Sequence, residues 1–300
     1  MYEQIARNKW RSVLLVFLVL LLAAGLGYVF GQLYEAGPVG IVLALVIAGA
    51  MSWSSYRYGD RLVLRVSRAR PASAEEYPRY HNIVEGLCIA AGIPKPALYV
   101  IPEKAPNAFA TGRDPEHSSV AVTEGLLETL NRVELEGVLA HELAHVRNRD
   151  ILVGTLVATL VGVVALLADW MLRAFFWGGR GRRGDRGGGG GAGAIIAIAG
   201  LVLAALAPLF AQLIRLAVSR RRELLADADG ALLSRYPPGL ASALRKIAMS
   251  TEPLRAANNA TAHLWFSQPS RTPGSGWTRW ERLFSTHPPI EERIKALEEM

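Results

Sequence analysis

Residues 131–150 read NRVELEGVLAHELAHVRNRD, and this is the stretch that predicts most about the fold. Asn131 is a good helix N-cap, and Glu134 stands three residues later, where its side chain can complete a capping box. The stretch is therefore predicted to be a helix that packs one face into a core. The residues that begin this apolar face are Val133, Leu135, Val138 and Leu139.

The predicted helix carries a motif that can bind metal, His141-Glu142-Leu143-Ala144-His145. His141 and His145 are spaced i,i+4, so their imidazoles share one face and can bind the same ion. Glu142 can reach a water molecule at that ion and act on it as a general base. Zinc suits this arrangement, because it binds histidine and carboxylate ligands and keeps one position open for water. We therefore predict one Zn²⁺ per chain.

Two histidines leave one protein ligand to be found. No third histidine follows at a short spacing, so the ligand is expected to be an acidic residue on another helix. Glu223 is the best candidate, because Asp227 lies four residues later on the same predicted helix face. Asp227 can then accept the second N–H of a histidine ligand.

The composition indicates a membrane protein. The chain has 300 residues, of which 51% are hydrophobic and 20% charged, and its mean hydropathy is +0.22. The net charge of +7 does not indicate nucleic acid, because the arginines lie beside apolar runs, where lipid head groups and topology explain them. The single cysteine, Cys88, excludes a disulfide scaffold, and the aliphatic content excludes disorder.

Four apolar stretches are long enough to cross a bilayer, since a spanning helix needs about 20 residues. The first two form an N-terminal hairpin within residues 1–56. The other two form a second hairpin within 151–218, joined by a loop of glycine and arginine. The predicted spans are 12–34, 36–56, about 151–177 and about 194–218, and the loop is 178–193.

The orientation follows from lysine and arginine. These residues precede the first span and follow the second, which places both termini and the catalytic part in the cytoplasm. The arginines of the loop 178–193 would lie outside, against this rule. An even number of crossings is nevertheless required, because His145 and Glu223 flank the second hairpin and must reach one ion. We therefore expect a multi-pass protein of the plasma (inner) membrane.

The remaining segments, 57–150 and 219–300, are expected to form one α+β domain, since neither is a comfortable domain alone. The fold class is thus a mainly α integral membrane protein with four transmembrane helices and a cytoplasmic domain built from two separated segments. The predicted strands are 97–101, 108–111 and 118–122. The predicted helices are 74–91, 124–129, 220–234, 238–249 and 288–300, the last with Thr286 as its cap.

The chain resembles the HtpX family of membrane zinc metalloproteases, gluzincins related to the CAAX prenyl proteases. The resemblance covers nearly the whole chain, with modest departures at Leu224 and in the Gly/Arg loop. It implies a zincin-like domain in which His141, His145 and Glu223 bind zinc, Glu142 is the base and Asp227 supports the ligands. It also implies cleavage of misfolded membrane proteins in quality control and stress response. The matching elements are two N-terminal spans, residues 107–112, the HELAH run with Asn148 and Asp150 after it, two further spans, residues 219–227, and residues 286–289 with 292–294.

The resemblance also suggests how a polypeptide substrate is bound. The strand with Asn107, Ala108, Phe109 and Ala110 is expected to pair its edge with the substrate backbone, although a packed sheet strand is the alternative. His287 is a candidate hydrogen-bond donor to the oxyanion, with Arg293 as its support. A helix cap and a surface salt bridge are the alternative roles for these two residues.

Three alternatives to a quality-control protease stay open. The first is a non-proteolytic membrane scaffold with a decayed site, which the complete set of site residues disfavours. The second is a transporter, which predicts polar residues inside the spans, where the sequence has almost none. The third is a CAAX-type prenyl protease, which would normally have more membrane helices. The expected partners are polypeptides and the lipid bilayer, not nucleic acid, and homo-oligomer formation is left open.

Overall fold

The structure is a computed structural model that describes residues 2–33, 37–160, 220–257, 261–267 and 288–300. Several sequence predictions fall outside these ranges. They are the third span beyond residue 160, the fourth span, the loop 178–193, the cap Thr286 and the candidate oxyanion donor His287.

The N-terminal hairpin consists of α1 (Tyr2–Leu33) and α2 (Pro38–Val66). Each helix contains a stretch long and apolar enough to cross a membrane, within Ala6–Gly25 and Pro38–Val66. Gly37 makes the turn with φ of 53°, and Pro38 fits the first turn of α2, where its missing N–H costs nothing. Helix α2 extends to Val66, ten residues beyond the predicted end of the span at 56. The prediction stopped at the first charged residues, but the helix continues past them into the protein core.

Four strands form one mixed sheet, with β1 at Arg70–Pro71, β2 at Ala97–Ile101, β3 at Ala108–Asp114 and β4 at His117–Thr123. Their order is β1-β2-β4-β3, with β2 parallel to β4 and the other pairs antiparallel. Strand β3 therefore lies at an edge. The sequence had predicted β2, β3 and β4 but not β1, whose two residues include a proline and carry no alternating pattern.

Within the described ranges, the helices outside the hairpin are α3 (Pro78–Ala91), α4 (Glu124–Thr129), α5 (Arg132–Arg147), α6 (Asp150–Leu160), α7 (Arg220–Ser234), α8 (Pro237–Met249) and α9 (Ile290–Glu298). A short 3₁₀ turn spans Ala262–Leu264. Helix α3 begins at its proline rather than at residue 74. Helix α9 begins at Ile290 with Pro289 as its N-cap, so the predicted start at 288 and the predicted cap Thr286 are wrong. Helices α4, α7 and α8 agree with the sequence prediction within one residue.

Helix α5 lies at the centre of the core. The predicted capping box is present: Asn131 Oδ1 accepts from the Glu134 amide at 3.0 Å, and Glu134 Oε2 accepts from the Asn131 amide at 2.9 Å. The core packs α5 between the sheet, α3, α7 and α8. This arrangement buries the metal-binding motif inside the protein. The α5 residues at the core are Leu135, Val138, Leu139, Leu143 and Val146.

Helix α6 follows α5 after a short turn and packs against the N-terminal hairpin. Leu15 of α1 lies in one apolar cluster with Val153, Leu156, Val157 and Leu160 of α6. On the other side, Ser55 of α2 donates a hydrogen bond to Thr159 at 2.6 Å. Helix α6 thus joins the end of α5 directly to both N-terminal helices.

Candidate metal centre and active site

The two histidines of α5 point their Nε2 atoms at each other, 3.1 Å apart. His141 is fully buried, and 15% of the His145 side chain is exposed. The i,i+4 spacing on a straight helix produces this convergence, as the sequence predicted.

Glu223 of α7 supplies the third potential ligand. Its carboxylate oxygens lie 3.8 Å from His141 Nε2 and 3.6 Å from His145 Nε2, and the three ligand atoms lie within 4.8 Å of one another. Gly230 allows α7 to come this close, because a Cβ there would lie 2.9 Å from the His141 amide nitrogen. The structure therefore brings together the three residues that the sequence had predicted as ligands.

Each histidine ring is held by a carboxylate on its other nitrogen. Asp227 Oδ1 lies 2.8 Å from His141 Nδ1, and Asp150 Oδ2 lies 3.0 Å from His145 Nδ1. With a proton on each Nδ1, both rings donate outward, and their Nε2 lone pairs face the same point. Two lone pairs at that distance repel unless a cation lies between them, so the residues fit a zinc ion. The sequence had indicated Asp227 for this role but not Asp150.

The local charges also favour a cation. Burial lowers the pKa of His141 to about 4. For His145, burial opposes the charged form, but the hydrogen bond to Asp150 and the nearby Glu223 carboxylate outweigh it and raise the pKa to about 9. The carboxylates around His145 therefore favour positive charge at its ring, whereas burial keeps the His141 ring neutral.

Arg293 of α9 is a buried part of the site rather than a surface residue. Its Nε and Nη2 donate to the two oxygens of Asp227 at 2.8 and 2.7 Å, and its Nη1 donates to the Phe266 carbonyl at 3.1 Å. Burial acts to raise the pKa of Asp227, but Arg293 and His141 outweigh it and lower the pKa to about 2. The surface salt bridge considered as an alternative is thus wrong, since Arg293 is 1% exposed.

Glu142 lies on the wall of the same pocket and is 2% exposed. Burial raises the pKa of its carboxyl to about 7, with the backbone of Ala110 and nearby cations acting in the opposite direction. A carboxyl with this pKa can accept and return a proton near neutral pH.

The predicted substrate strand lies beside the pocket, but much of its outer edge is bonded within the protein. The Ala108 carbonyl accepts from the Phe266 amide at 2.8 Å. Asn107 bonds both backbone groups of Ser267, at 2.8 and 3.1 Å. Farther along, the Gly112 amide donates to Thr155 at 3.1 Å. Of the four residues predicted to bind substrate, Ala110 is the one that lines the pocket.

The segment 261–267 contributes site residues that sequence reasoning missed. His263 was treated as an ordinary residue because it has no ligand spacing, yet it lines the pocket and its Nε2 lies 3.1 Å from the Gly154 carbonyl. The Phe266 ring contacts the His141 ring edge-on, with centroids 5.0 Å apart. The full lining is Ala110, His141, Glu142, His145, Asp150, Ile151, Gly154, Arg222, Glu223, His263, Leu264, Trp265 and Phe266.

A buried His, His, Glu group beside two long apolar helices is typical of a membrane-associated metallopeptidase. The sequence profile of peptidase family M48 matches residues 74–300. A protease HtpX homolog of Thermoanaerobacter pseudethanolicus is 48% identical over 300 residues, which cover 100% of this chain and 98% of the relative. A protease HtpX homolog of Pyrococcus furiosus is 46% identical, with 95% and 93% covered.

The chain therefore belongs to peptidase family M48 and, within it, to the HtpX homologues. This confirms the resemblance drawn from the sequence and the prediction of a membrane zinc metalloprotease. The crystal structure of S. mikatae Ste24p is also similar, with 18% identity, a TM-score of 0.49, and coverage of 99% of this chain and 67% of that chain.

Proposed function

We propose that the protein is a zinc-dependent endopeptidase of the HExxH, gluzincin type, in which His141, His145 and Glu223 bind zinc and Glu142 is the general base. The observation that carries this proposal is the convergence of two Nε2 atoms and one carboxylate beside a buried glutamate. The same three residue types form the protein ligands of known hydrolytic zinc sites.

A bound zinc ion supplies Lewis acidity that polarises the scissile carbonyl and makes a water molecule acidic enough to attack at neutral pH. Glu142 takes the proton from the attacking water and then delivers it to the leaving amine nitrogen. Asp227 and Asp150 hold the two imidazole rings with Nε2 directed inward. Arg293 keeps Asp227 ionised and in place.

We further propose roles for His287 and for the first residues of β3. His287 donates a hydrogen bond to the oxyanion of the tetrahedral intermediate, and its place in sequence just before α9 supports this, because Arg293 of α9 reaches the metal site. The substrate backbone passes along Asn107, Ala108, Phe109 and Ala110. Full pairing at Ala108 requires that Phe266 gives up its hydrogen bond.

We further propose four membrane spans, with the catalytic domain and both termini in the cytoplasm at the plasma (inner) membrane. The packing of α6 against α1 and α2 supports this, because α6 starts directly at the metal site and runs beside the hairpin. A site this close to the membrane helices suits membrane proteins as substrates. We therefore propose misfolded or damaged membrane proteins as the substrate class and quality control as the role.

The proposal is tested with the intact protein in detergent. The protein is purified with a chelator, zinc is added, and cleavage of an unfolded polypeptide is followed beside that of a prenylated peptide. We expect zinc-dependent cleavage of the polypeptide by the wild type and none by Glu142→Gln. Glu136→Gln is the matched control, since it makes the same change on the same helix outside the pocket. Cleavage of the prenylated peptide alone would favour the CAAX-type alternative.

A further inference from the structure

Asn8 is a buried polar residue near the start of the membrane helix α1. It is 3% exposed, whereas the neighbouring Trp10 is 73% exposed. Its burial follows from the packing of α1 on α6, where Leu15 lies among apolar side chains of that helix. Burying an amide side chain is unfavourable unless its hydrogen bonds are made, so the partners of Asn8 are informative.

Both partners of Asn8 belong to the turn between α5 and α6. Its Nδ2 donates to Asp150 Oδ1 at 2.6 Å and to the backbone carbonyl of Asn148 at 3.0 Å. Asn148 is the C-cap of α5, where helix carbonyls lack partners within the helix. The two N–H groups of one amide therefore bind the last turn of the HExxH helix and the first residue of α6.

The turn itself requires such contacts. Arg149 lies between the two partners and has a backbone φ of 58°, which residues other than glycine rarely adopt. Asn148 is also held from α7, since its Nδ2 donates to Asp229 at 2.8 Å. Asn8 and Asp229 thus clamp the turn from two sides.

The Asp150 carboxylate connects this clamp to the metal site. One oxygen, Oδ2, lies 3.0 Å from His145 Nδ1. The other, Oδ1, accepts from Asn8 and lies 3.4 Å from an Arg222 guanidinium nitrogen. The orientation of this carboxylate therefore depends on a side chain of the first membrane helix, and the orientation of the His145 ring depends on the carboxylate.

We propose that Asn8 is a positioning residue for the metal site, which acts from membrane helix α1 through Asp150 on the ligand His145. This inference rests on the proposed function, because it assumes that His145 binds zinc. The region matched by the family profile begins at residue 74, so the proposal places part of the metal site's support outside that region. The N-terminal helix is then both an anchor and a component of the catalytic centre.

The test measures zinc affinity of the full chain in detergent, by competition with a chelator of known affinity. Asn8→Ala is expected to weaken zinc binding by about 3- to 10-fold, less than the roughly 10- to 100-fold typical for loss of a direct partner of a ligand. Ser12→Ala is the matched control. Ser12 is buried on the same helix, but its hydroxyl donates to the backbone carbonyl of Asn8 and not to Asp150. We therefore expect the zinc affinity of Ser12→Ala to stay within about two-fold of wild type.

A double-mutant cycle separates positioning from general packing. If Asn8 acts through Asp150, Asn8→Ala has no further effect on zinc affinity in an Asp150→Ala background, which lacks the oxygen that accepts from Asn8. An equal loss in both backgrounds, or wild-type affinity of Asn8→Ala, would overturn the proposal. If Asn8→Ala does not unfold cooperatively, the same cycle is run with Asn8→Ser. A wild type that binds no zinc would instead overturn the proposed function.

Discussion

Arg293 binds both carboxylate oxygens of Asp227, with nitrogen to oxygen distances of 2.8 and 2.7 Å. Each side chain is 1% exposed, and Asp227 also contacts His141. The pair joins the last helix of the chain to the helix that carries Glu223, and it holds one histidine ring. A buried salt bridge of this kind fixes the positions of its side chains, here also that of the His141 ring, more than it adds net stability.

Removing one member of this pair should be strongly destabilising. Arg293→Ala leaves the Asp227 carboxylate buried without its cation, so we expect a loss of about 3–5 kcal/mol in the free energy of unfolding. Thermal unfolding in detergent measures it. Arg245→Ala is the control, because Arg245 is 49% exposed and its pair with Glu298 lies on the surface. Equal stability of the two variants would contradict the buried role of Arg293.

Substitution of Glu142 should remove activity alone, whereas substitution of a zinc ligand should remove both bound zinc and activity. Glu142→Gln is expected to bind zinc like wild type and to lose at least about 10²- to 10⁴-fold in turnover, because the general base is gone. His141→Ala and Glu223→Ala should lose bound zinc as well. Zinc content and cleavage rate, measured on the same preparations, separate the two cases. Proteolysis retained by a clean Glu142→Gln preparation would refute the assigned base.

The capping box of α5 should make stability depend on pH. Burial acts to raise the pKa of Glu134, but hydrogen bonds from Lys246, Ser242 and the Asn131 amide outweigh it, so the folded pKa lies below 4.5. The ionised form therefore stabilises the fold above about pH 4.5, and this contribution is lost as the pH falls through the folded pKa.

Glu134→Gln should accordingly be less stable than wild type at neutral pH by up to about 1 kcal/mol, because Gln can keep the capping box but loses the ion pair with Lys246. The difference should shrink in acid, because wild-type Glu134 is then also neutral. Unfolding midpoints measured from neutral to acid pH show whether the stability difference between wild type and Glu134→Gln shrinks. Glu136→Gln is the control. A difference that grows toward acid pH would show that Glu134 is stabilising in its neutral form.

Asn107 should control the segment that covers the edge of β3. Asn107→Ala removes both hydrogen bonds from its side chain to Ser267, so the buried backbone N–H and C=O of Ser267 lose these partners. We expect the free energy of unfolding to fall by about 1–3 kcal/mol. Hydrogen exchange at the Phe266 and Ser267 amides should accelerate. Ser73→Ala, which changes an exposed turn, is the control. Unchanged exchange at Phe266 would mean that other contacts hold the segment.

Much of the fold could be predicted from the sequence because its signals are local. Helix α5, its capping box and strand β2 follow from caps, periodicity and turn residues over a few positions. The same is true of the two histidines, whose convergence needs only a helix. Helix α2 was predicted too short because a charge ends an apolar pattern without ending a helix.

The outcome was different where a residue's role depends on distant parts of the chain. Asp227 could be proposed because it shares a helix face with Glu223. Asp150 belonged to the family resemblance but had no predicted role, and His263 lacked ligand spacing, so only the fold showed that both lie at the pocket. Arg293 was predicted to support His287 or to form a surface salt bridge, whereas the structure bonds it to Asp227.

The sequence by itself determined the class of chemistry, since the HExxH spacing places two histidines on one helix face through local geometry and the long apolar stretches indicate a membrane protein. Glu223 could be named as the third ligand, but only the fold brings it to the two histidines. Only the tertiary structure decided which side chains support that chemistry. Asn8 and Asp150 are separated by 142 positions, and Arg293 and Asp227 by 66. Such contacts arise because the packing of helices in three dimensions buries polar groups next to one another. A periodic pattern along the chain does not predict which of these groups come into contact.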